Sequence, residues 1–118
     1  TASQVAAERC LRGLGEPWVA RASAAYAELG RYAALKLGLE PPQGSTFLFM
    51  DVADVLDDRG LMGFLTDCVD RGLLLAPGPS FGPYPTHVRV CFTSAEPFVV
   101  RRGVDILAEI SRRSTAPR

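Results

Sequence analysis

The sequence predicts a two-layer α/β sandwich, in which helices cover one face of a small sheet of about three strands and long alanine-rich helices come first. Three observations predict this fold. The first third of the chain has apolar residues at helical spacing, short apolar runs with the character of strands follow it, and glycine or proline marks most changes between the two. The expected order of elements is α-α-β-α-β-β-α.

The composition narrows the class of protein. The chain has 118 residues, of which 47% are hydrophobic and 22% charged, as is usual for one globular domain. Its 13 basic and 13 acidic side chains cancel, so no net field favours nucleic acid as a partner, and no apolar run approaches the roughly 20 residues that span a membrane. The cysteines, Cys10, Cys68 and Cys91, are odd in number and widely spaced, which indicates a cytoplasmic protein without a disulfide framework or zinc site.

Two helices are expected in the first third of the chain. The first covers residues 3–14 and is closed by Gly13 or Gly15. The second begins at Pro17, because proline is well accommodated at the first helical position, and it ends at Gly38. Its apolar positions recur at spacings of three and four, and they are Trp18, Ala22, Ala25, Leu29, Tyr32 and Ala33.

Three strands are expected after these helices. Residues 46–52 form a short apolar run that is rich in aromatic residues and reads as a buried strand. A short strand follows at 73–76, and the third covers 87–93. Between the last two, the loop Pro77–Pro85 holds four prolines and two glycines, so we expect a stiff turn of defined shape.

Two further helices complete the predicted layer. One covers residues 59–71, is capped by Asp57 or Asp58, and ends at Gly72. Its inner stripe is Leu61, Phe64, Leu65 and Cys68. The last helix runs from about Ser94, its expected cap, to Arg113. Its apolar set is Val100, Val104, Leu107 and Ile110.

The third strand sets one arginine apart from the core. Side chains alternate across a strand, so one face holds Val88, Val90 and Phe92 and the other holds His87, Arg89 and Cys91. A guanidinium presents a planar fork of donors that matches a carboxylate. From the residues alone, a solvent-facing arginine without a ligand and a carboxylate-binding arginine both fit this position.

No other residue set in the sequence forms a complete catalytic or metal-binding constellation. Lys36 lies near the end of a helix, where an exposed lysine is favoured by the helix dipole. His87 is the only histidine and has no partner at metal-ligand spacing. The glycines fit neither a P-loop nor a dinucleotide-binding pattern, and the serines lack partners for a hydrolase triad.

Four motifs, taken together, resemble one known family. They are Pro42-x-Gly44-Ser45-Thr46-Phe47-Leu48, a helix ending at Arg71-Gly72, the run Leu73-Leu-Leu-Ala-Pro77-Gly78-Pro-Ser-Phe81-Gly82, and His87-Val-Arg89-Val-Cys-Phe92. Their order and spacing over about residues 41–111 are similar to those of the C-terminal small domain of class I/II, fold-type I aminotransferases, which depend on pyridoxal phosphate. The alanine-rich segment before them resembles the family's interdomain helices, with weaker motifs. The implied division is a helical segment at 1–40 and a small-domain core at 41–118.

The resemblance implies an activity and a role for Arg89. The family transfers an amino group between an amino acid and a 2-oxo acid, and the matching arginine binds the substrate α-carboxylate. The residues that hold pyridoxal phosphate, including the Schiff-base lysine, lie in the family's large domain, which matches nothing here. The resemblance therefore implies a large-domain partner, a homo-oligomer, and no activity for the 118-residue chain alone.

Two alternatives remain open at this point. Carbon–sulfur lyases, cyclopropane-forming synthases and some decarboxylases share this small domain, which does not distinguish them from aminotransferases. A stand-alone binding or regulatory module would keep the fold without catalysis.

Overall fold

The computed structural model describes residues 1–113. Over this range it is mixed α/β, with four helices and a three-stranded antiparallel sheet, which confirms the predicted class and the order α-α-β-α-β-β-α. The elements are α1 (Ala2–Arg9), α2 (Glu16–Leu37), β1 (Phe47–Asp51), α3 (Gly60–Asp70), β2 (Ala76–Pro77), β3 (His87–Cys91) and α4 (Pro97–Arg113). The proposed core segment 41–118 extends past this range, so its residues 114–118 lie outside the described part.

Strand β3 is the centre of the sheet, with β1 on one side and β2 on the other. In this register Arg89 lies opposite Phe49 of β1 and opposite Ala76 of β2. The side chains of β3 alternate between the two faces of the sheet. The helices pack against one of these faces, and the candidate site lies on the other.

The inner face of the sheet is covered by α2, α3 and α4, which confirms that the helices lie on one face. Its strand residues, among them Leu48, Val88 and Val90, are buried against the helices. The helices contribute Leu29, Ala33, Ala34, Phe64, Leu65, Cys68, Val100, Val104 and Leu107. Helix α2 packs closely against the side chains of Pro42 and Phe92 at Gly30, where an added Cβ would lie 2.8 Å from Pro42 Cγ. These contacts make one continuous apolar core.

Polar contacts join α2 to α4 on the outer side of the helix layer. The Tyr32 hydroxyl donates to Asp105 Oδ1 at 2.7 Å, and Lys36 Nζ lies 3.3 Å from the same oxygen. The hydrogen bond from Tyr32 lowers the pKa of Asp105, which keeps this carboxylate charged at neutral pH. Arg101 pairs with Glu28 at 2.6 Å and lies over the Tyr32 ring. These contacts hold the C-terminal half of α2 against α4.

The first helix differs from the prediction in its bounds, and the second is exposed over its N-terminal half. The expected helix 3–14 ends at Arg9, and a π turn, Cys10–Leu14, follows it with a kink at Gly13 (φ 98°). The apolar stripe of α2 is buried at Leu29 and Ala33, but Trp18 is 63% exposed. The reason is length: the N-terminal half of α2 projects beyond the sheet, and nothing in residues 1–113 covers it.

Two helix starts were predicted wrongly. The N-cap position of α3 is Arg59, with no side-chain cap. Asp57 instead accepts the Arg59 backbone N–H at 3.0 Å and pairs with its guanidinium, which also pairs with Asp67. Helix α4 begins at Pro97 rather than near Ser94, because the residue before a proline is disfavoured in helical conformation.

The second strand is shorter than predicted and is displaced toward the loop. Only Ala76 and Pro77 pair with β3, whereas the expected strand covered 73–76. Leu73 turns toward the helices and reaches Gly103 of α4, and Leu74 is exposed. This segment therefore leaves the ladder and packs on the core.

In residues 1–113, no helix is both long and apolar enough to cross a membrane.

Candidate functional site

Arg89 lies on the outer face of the sheet, the face that carries His87, Arg89 and Cys91 and that no helix covers. Its neighbours Val88 and Val90 are buried on the inner face, as the alternation predicts. The guanidinium carbon Cζ lies 4.3 Å from the ring centroid of Phe47 and 4.5 Å from that of Phe81. Rings from two different parts of the chain thus orient one guanidinium by cation–π contact.

The polar atoms of Arg89 lack protein partners. Its Nε is buried and donates to no hydrogen-bond acceptor in residues 1–113, and no carboxylate of this range lies within ion-pair distance. Nη1 and Nη2 have no partner in this range either, and they keep contact with solvent, since only Nε is both buried and unpaired. The unpaired Nε has an energetic cost that an anion at the outer edge does not relieve, whereas Nη1 and Nη2 leave that edge of the guanidinium open to an anion.

Aromatic rings surround this arginine on the outer face. Phe49 packs edge-on against Phe81 and Tyr84, with centroid distances of 6.2 and 5.0 Å. It also stacks on His87 at 5.0 Å. We call the set formed by Phe47, Phe49, Phe81, Tyr84, His87 and Arg89 the outer-face cluster. Its phenylalanine and tyrosine rings are each about two-fifths exposed, so the cluster is an open surface.

One end of the cluster carries a negative charge. Asp51 accepts the Thr86 hydroxyl at 2.7 Å and the Ala53 backbone N–H at 3.0 Å. These hydrogen bonds, that from Thr86 first, lower the pKa of Asp51. His87 Nδ1 lies 3.9 Å from the same carboxylate. The outer face thus carries a cation at Arg89 and an anion at Asp51, which are two residue pairs apart in the register of β1 with β3.

The Pro77–Pro85 loop places two of the rings. Residues Gly78–Phe81 form a 3-10 turn that brings Phe81 over Arg89. A Cβ at Gly78 would overlap the carbonyl oxygen of Tyr84 and lie 2.6 Å from that of His87. Only glycine allows this close return of the chain, so Gly78 sets where Phe81 and Tyr84 lie.

A groove of about 790 Å³ lies beside the sheet, between the segment 71–76 and α4. Its wall includes Leu73, Val100 and Val104, and its floor includes residues 89–91 of β3. Arg71, which contributes to its rim, is already paired with Glu109 at 2.6 Å. The groove is largely apolar, and it reaches Arg89 from the β2 side of the sheet.

The described residues do not fit pyridoxal phosphate. Lys36 is the only lysine in the chain, and it is paired with Asp105 in the helix layer, on the opposite side of the sheet from Arg89. No group of three histidine, cysteine, aspartate or glutamate residues in 1–113 is arranged to hold a metal ion. The group that this part of the chain leaves open on the outer face is the guanidinium of Arg89.

The sequence identified Arg89 but not the residues that hold it. In the sequence, Phe47 and Phe81 stand out only as members of the motifs that carry the resemblance. The signal for Phe47 was available, because residues 47, 49 and 51 share the face opposite to Leu48 and Met50. Phe81 gave no such signal, since its position depends on how the loop folds back.

Comparisons of the chain with models of protein families, with curated proteins and with solved structures give no match. Function is therefore inferred from the residues of the outer face and from the resemblance of the motifs that contain them.

Proposed function

We propose that this chain is the C-terminal small domain of a pyridoxal-phosphate-dependent aminotransferase, in which Arg89 binds the α-carboxylate of the amino acid and 2-oxo acid substrates. The observation that supports this proposal is the state of Arg89. It is a ring-flanked guanidinium with no acidic partner in residues 1–113, on the sheet face that the helices leave open.

Arg89 acts by holding and orienting the substrate. A carboxylate that meets Nη1 and Nη2 in a bidentate contact is fixed in the plane of the guanidinium. Such a charged contact contributes about 1.5–3 kcal/mol, so the chain alone should bind a simple carboxylate with a dissociation constant on the order of 10 mM. Removal of water by a covering domain would strengthen the contact.

The cofactor and the Schiff-base lysine belong, in this proposal, to a large domain that covers the outer face. We place the assembled enzyme in the cytoplasm as a homo-oligomer. The three free cysteines agree with a reducing compartment. The exposed apolar residues of the N-terminal helices, Leu11, Leu14 and Trp18 among them, agree with further protein contacts.

The experiment is a titration of the isotope-labelled 118-residue chain with pyruvate and alanine, followed by NMR at the Nε–Hε resonance of Arg89 and, so that variants can be compared, at the backbone amides of β3. We expect a saturable shift of this resonance with both compounds. Arg89→Lys keeps the charge but loses the fork, so affinity for pyruvate should fall about tenfold. Arg31→Met, which removes an exposed arginine of α2, is the control and should leave the affinity unchanged.

Two results would argue against the proposal. One is an Arg89 resonance that does not respond to any carboxylate, and the other is equal binding by wild type and Arg89→Lys. A stand-alone binding module would bind carboxylates in the same way, so the second step is an assay of the protein that carries the large domain. Formation of a new amino acid from an added 2-oxo acid indicates an aminotransferase, whereas its absence favours a lyase, a synthase or a binding module.

A further inference from the structure

We propose that the ligand of Arg89 carries an apolar, preferably aromatic, side chain beside its carboxylate, and that Phe49 and Tyr84 select it. This inference rests on the proposed function, because it names the substrate class of the same site. It follows from what surrounds the guanidinium on the outer face, which is a set of half-exposed rings rather than further cations.

The register of the sheet brings Phe49 directly beside Arg89. Hydrogen-bonded and non-hydrogen-bonded pairs alternate along an antiparallel ladder. Phe92 N donates to Thr46 O at one end, and Val52 N donates to Thr86 O at the other. Counting from either end, the pair of Phe49 with Arg89 is a non-hydrogen-bonded pair, in which facing side chains lie closest. The guanidinium itself lies against Phe47 and Phe81, and Phe49 is the next ring that a group attached to a bound carboxylate can reach, since it packs edge-on against Phe81 at 6.2 Å.

The rings beyond Phe49 extend this apolar surface. Tyr84 meets Phe49 edge-on at 5.0 Å, and both rings are about 40% exposed. An edge-on pair leaves parts of both ring faces open to a third group, and aromatic groups gain about 0.5–1.5 kcal/mol from such packing, or roughly two- to tenfold in affinity. The surface thus offers an aromatic side chain a contact that a methyl group cannot make to the same extent.

The charges on the outer face disfavour a second carboxylate on the ligand. Asp51 lies next to the outer-face cluster, beside His87, and the hydrogen bonds from Thr86 and Ala53 favour its charged form. Within residues 1–113, the titratable groups beside Phe49 on this face are Asp51, Tyr84, His87 and Arg89. A dicarboxylate that is held at Arg89 and extends along the rings toward Asp51 meets a like charge there.

The test compares three acids on the labelled 118-residue chain at about pH 8: propanoate, 3-phenylpropanoate and succinate. We expect 3-phenylpropanoate to bind about three- to tenfold more tightly than propanoate, with succinate no tighter than propanoate after correction for its two carboxylates. In Phe49→Ala and in Tyr84→Ala, the ratio of the affinities for 3-phenylpropanoate and propanoate should fall to about twofold or less. Phe98→Ala removes an exposed ring from α4 and should leave the preference unchanged.

The outcomes separate this inference from the proposed function. If propanoate and 3-phenylpropanoate shift Arg89 with equal affinity, or if succinate binds most tightly, the aromatic preference is refuted and carboxylate binding by Arg89 still stands. If no acid shifts Arg89, both fail. If Phe49→Ala does not fold, Tyr84→Ala decides, because Tyr84 lies in a loop, and an unchanged preference in that variant overturns the selecting role of the rings.

Discussion

The two faces of the sheet are built from alternate residues of the same strands, yet they serve different ends. On the inner face Val88 has no exposure, and the side chains beside it are aliphatic. On the outer face Phe47 is 39% exposed and lies against a guanidinium that has no acidic partner in the described range. Burial by the helices makes the inner face the source of stability, whereas the open outer face keeps groups available for a ligand.

Two phenylalanines make this difference concrete. Phe92 follows β3 on the inner side, is 1% exposed and packs beneath α2, where its ring approaches Gly30. Phe49 lies in β1 on the outer side and is 40% exposed. The same side chain therefore removes much more apolar surface from water at position 92 than at position 49. The cover provided by the helices, not the residue type, determines what each ring contributes to folding.

The largest expected effect comes from truncating the ring on the inner face. Phe92→Ala should lower the free energy of unfolding by about 3–5 kcal/mol, because it removes a buried ring and leaves a cavity. Phe49→Ala should lower it by about 1–1.5 kcal/mol, since its ring is only partly covered. Denaturant unfolding of both variants beside wild type measures the difference. Equal losses would mean that the outer face is covered as fully as the inner face, contrary to the described structure.

A smaller loss is expected when the loop that carries Phe81 and Tyr84 is disturbed. In Gly78→Ala the added methyl group would meet the carbonyl oxygens of Tyr84 and His87, and these backbone atoms must move to admit it. We expect a loss of about 1–3 kcal/mol in the free energy of unfolding. The ring contact between Phe49 and Tyr84 should weaken at the same time, with a change in the NMR shifts of both rings.

Gly44→Ala is the control for this loop variant, because a Cβ at Gly44 meets nothing within 4 Å. Its stability should change by no more than about 0.5 kcal/mol, as is usual for open surface positions. If Gly78→Ala were as stable as Gly44→Ala and kept its ring shifts, the close return of the chain at Gly78 would not be what places the rings.

The division between the faces was predictable because it depends on local patterns. Alternation in β3 places Val88 and Arg89 on opposite faces whatever else the chain does. The stripes of α3 and α4 likewise follow from helical spacing, and Cys68 and Leu107 are buried as expected. Gly38 and Gly72 end their helices with positive φ, as glycine does at such ends.

What the sequence did not predict depends on contacts between distant residues. The flanking of Arg89 by Phe47 and Phe81 requires both the register of β1 and the return of a loop. The start of α4 was predictable from the sequence, because a helix rarely extends back past a proline such as Pro97. The expected start at Ser94 rested instead on the capping preference of serine.

The smallest expected effect is a change in titration at the acidic end of the outer face. Asp51 has a lowered pKa, chiefly because the Thr86 hydroxyl donates to it and secondly because the Ala53 N–H does. A carboxyl whose pKa is lower in the folded state stabilises that state above its unfolded pKa of about 4. This contribution is lost as the pH falls through the folded pKa.

Thr86→Val removes the hydroxyl donor and keeps the shape of the side chain. The pKa of Asp51 should therefore rise toward its ordinary value, and the folded state should lose part of its stability above about pH 4, a loss that disappears as the pH falls below the folded pKa. A carbon-13 NMR titration of the carboxyl groups measures this shift. Asp57 is the internal control, since its pKa is lowered by Arg59 rather than by Thr86 and should not move. An unchanged titration of Asp51 would show that the hydrogen bond from Ala53 alone sets its pKa, so that the anion at this end of the cluster persists without Thr86.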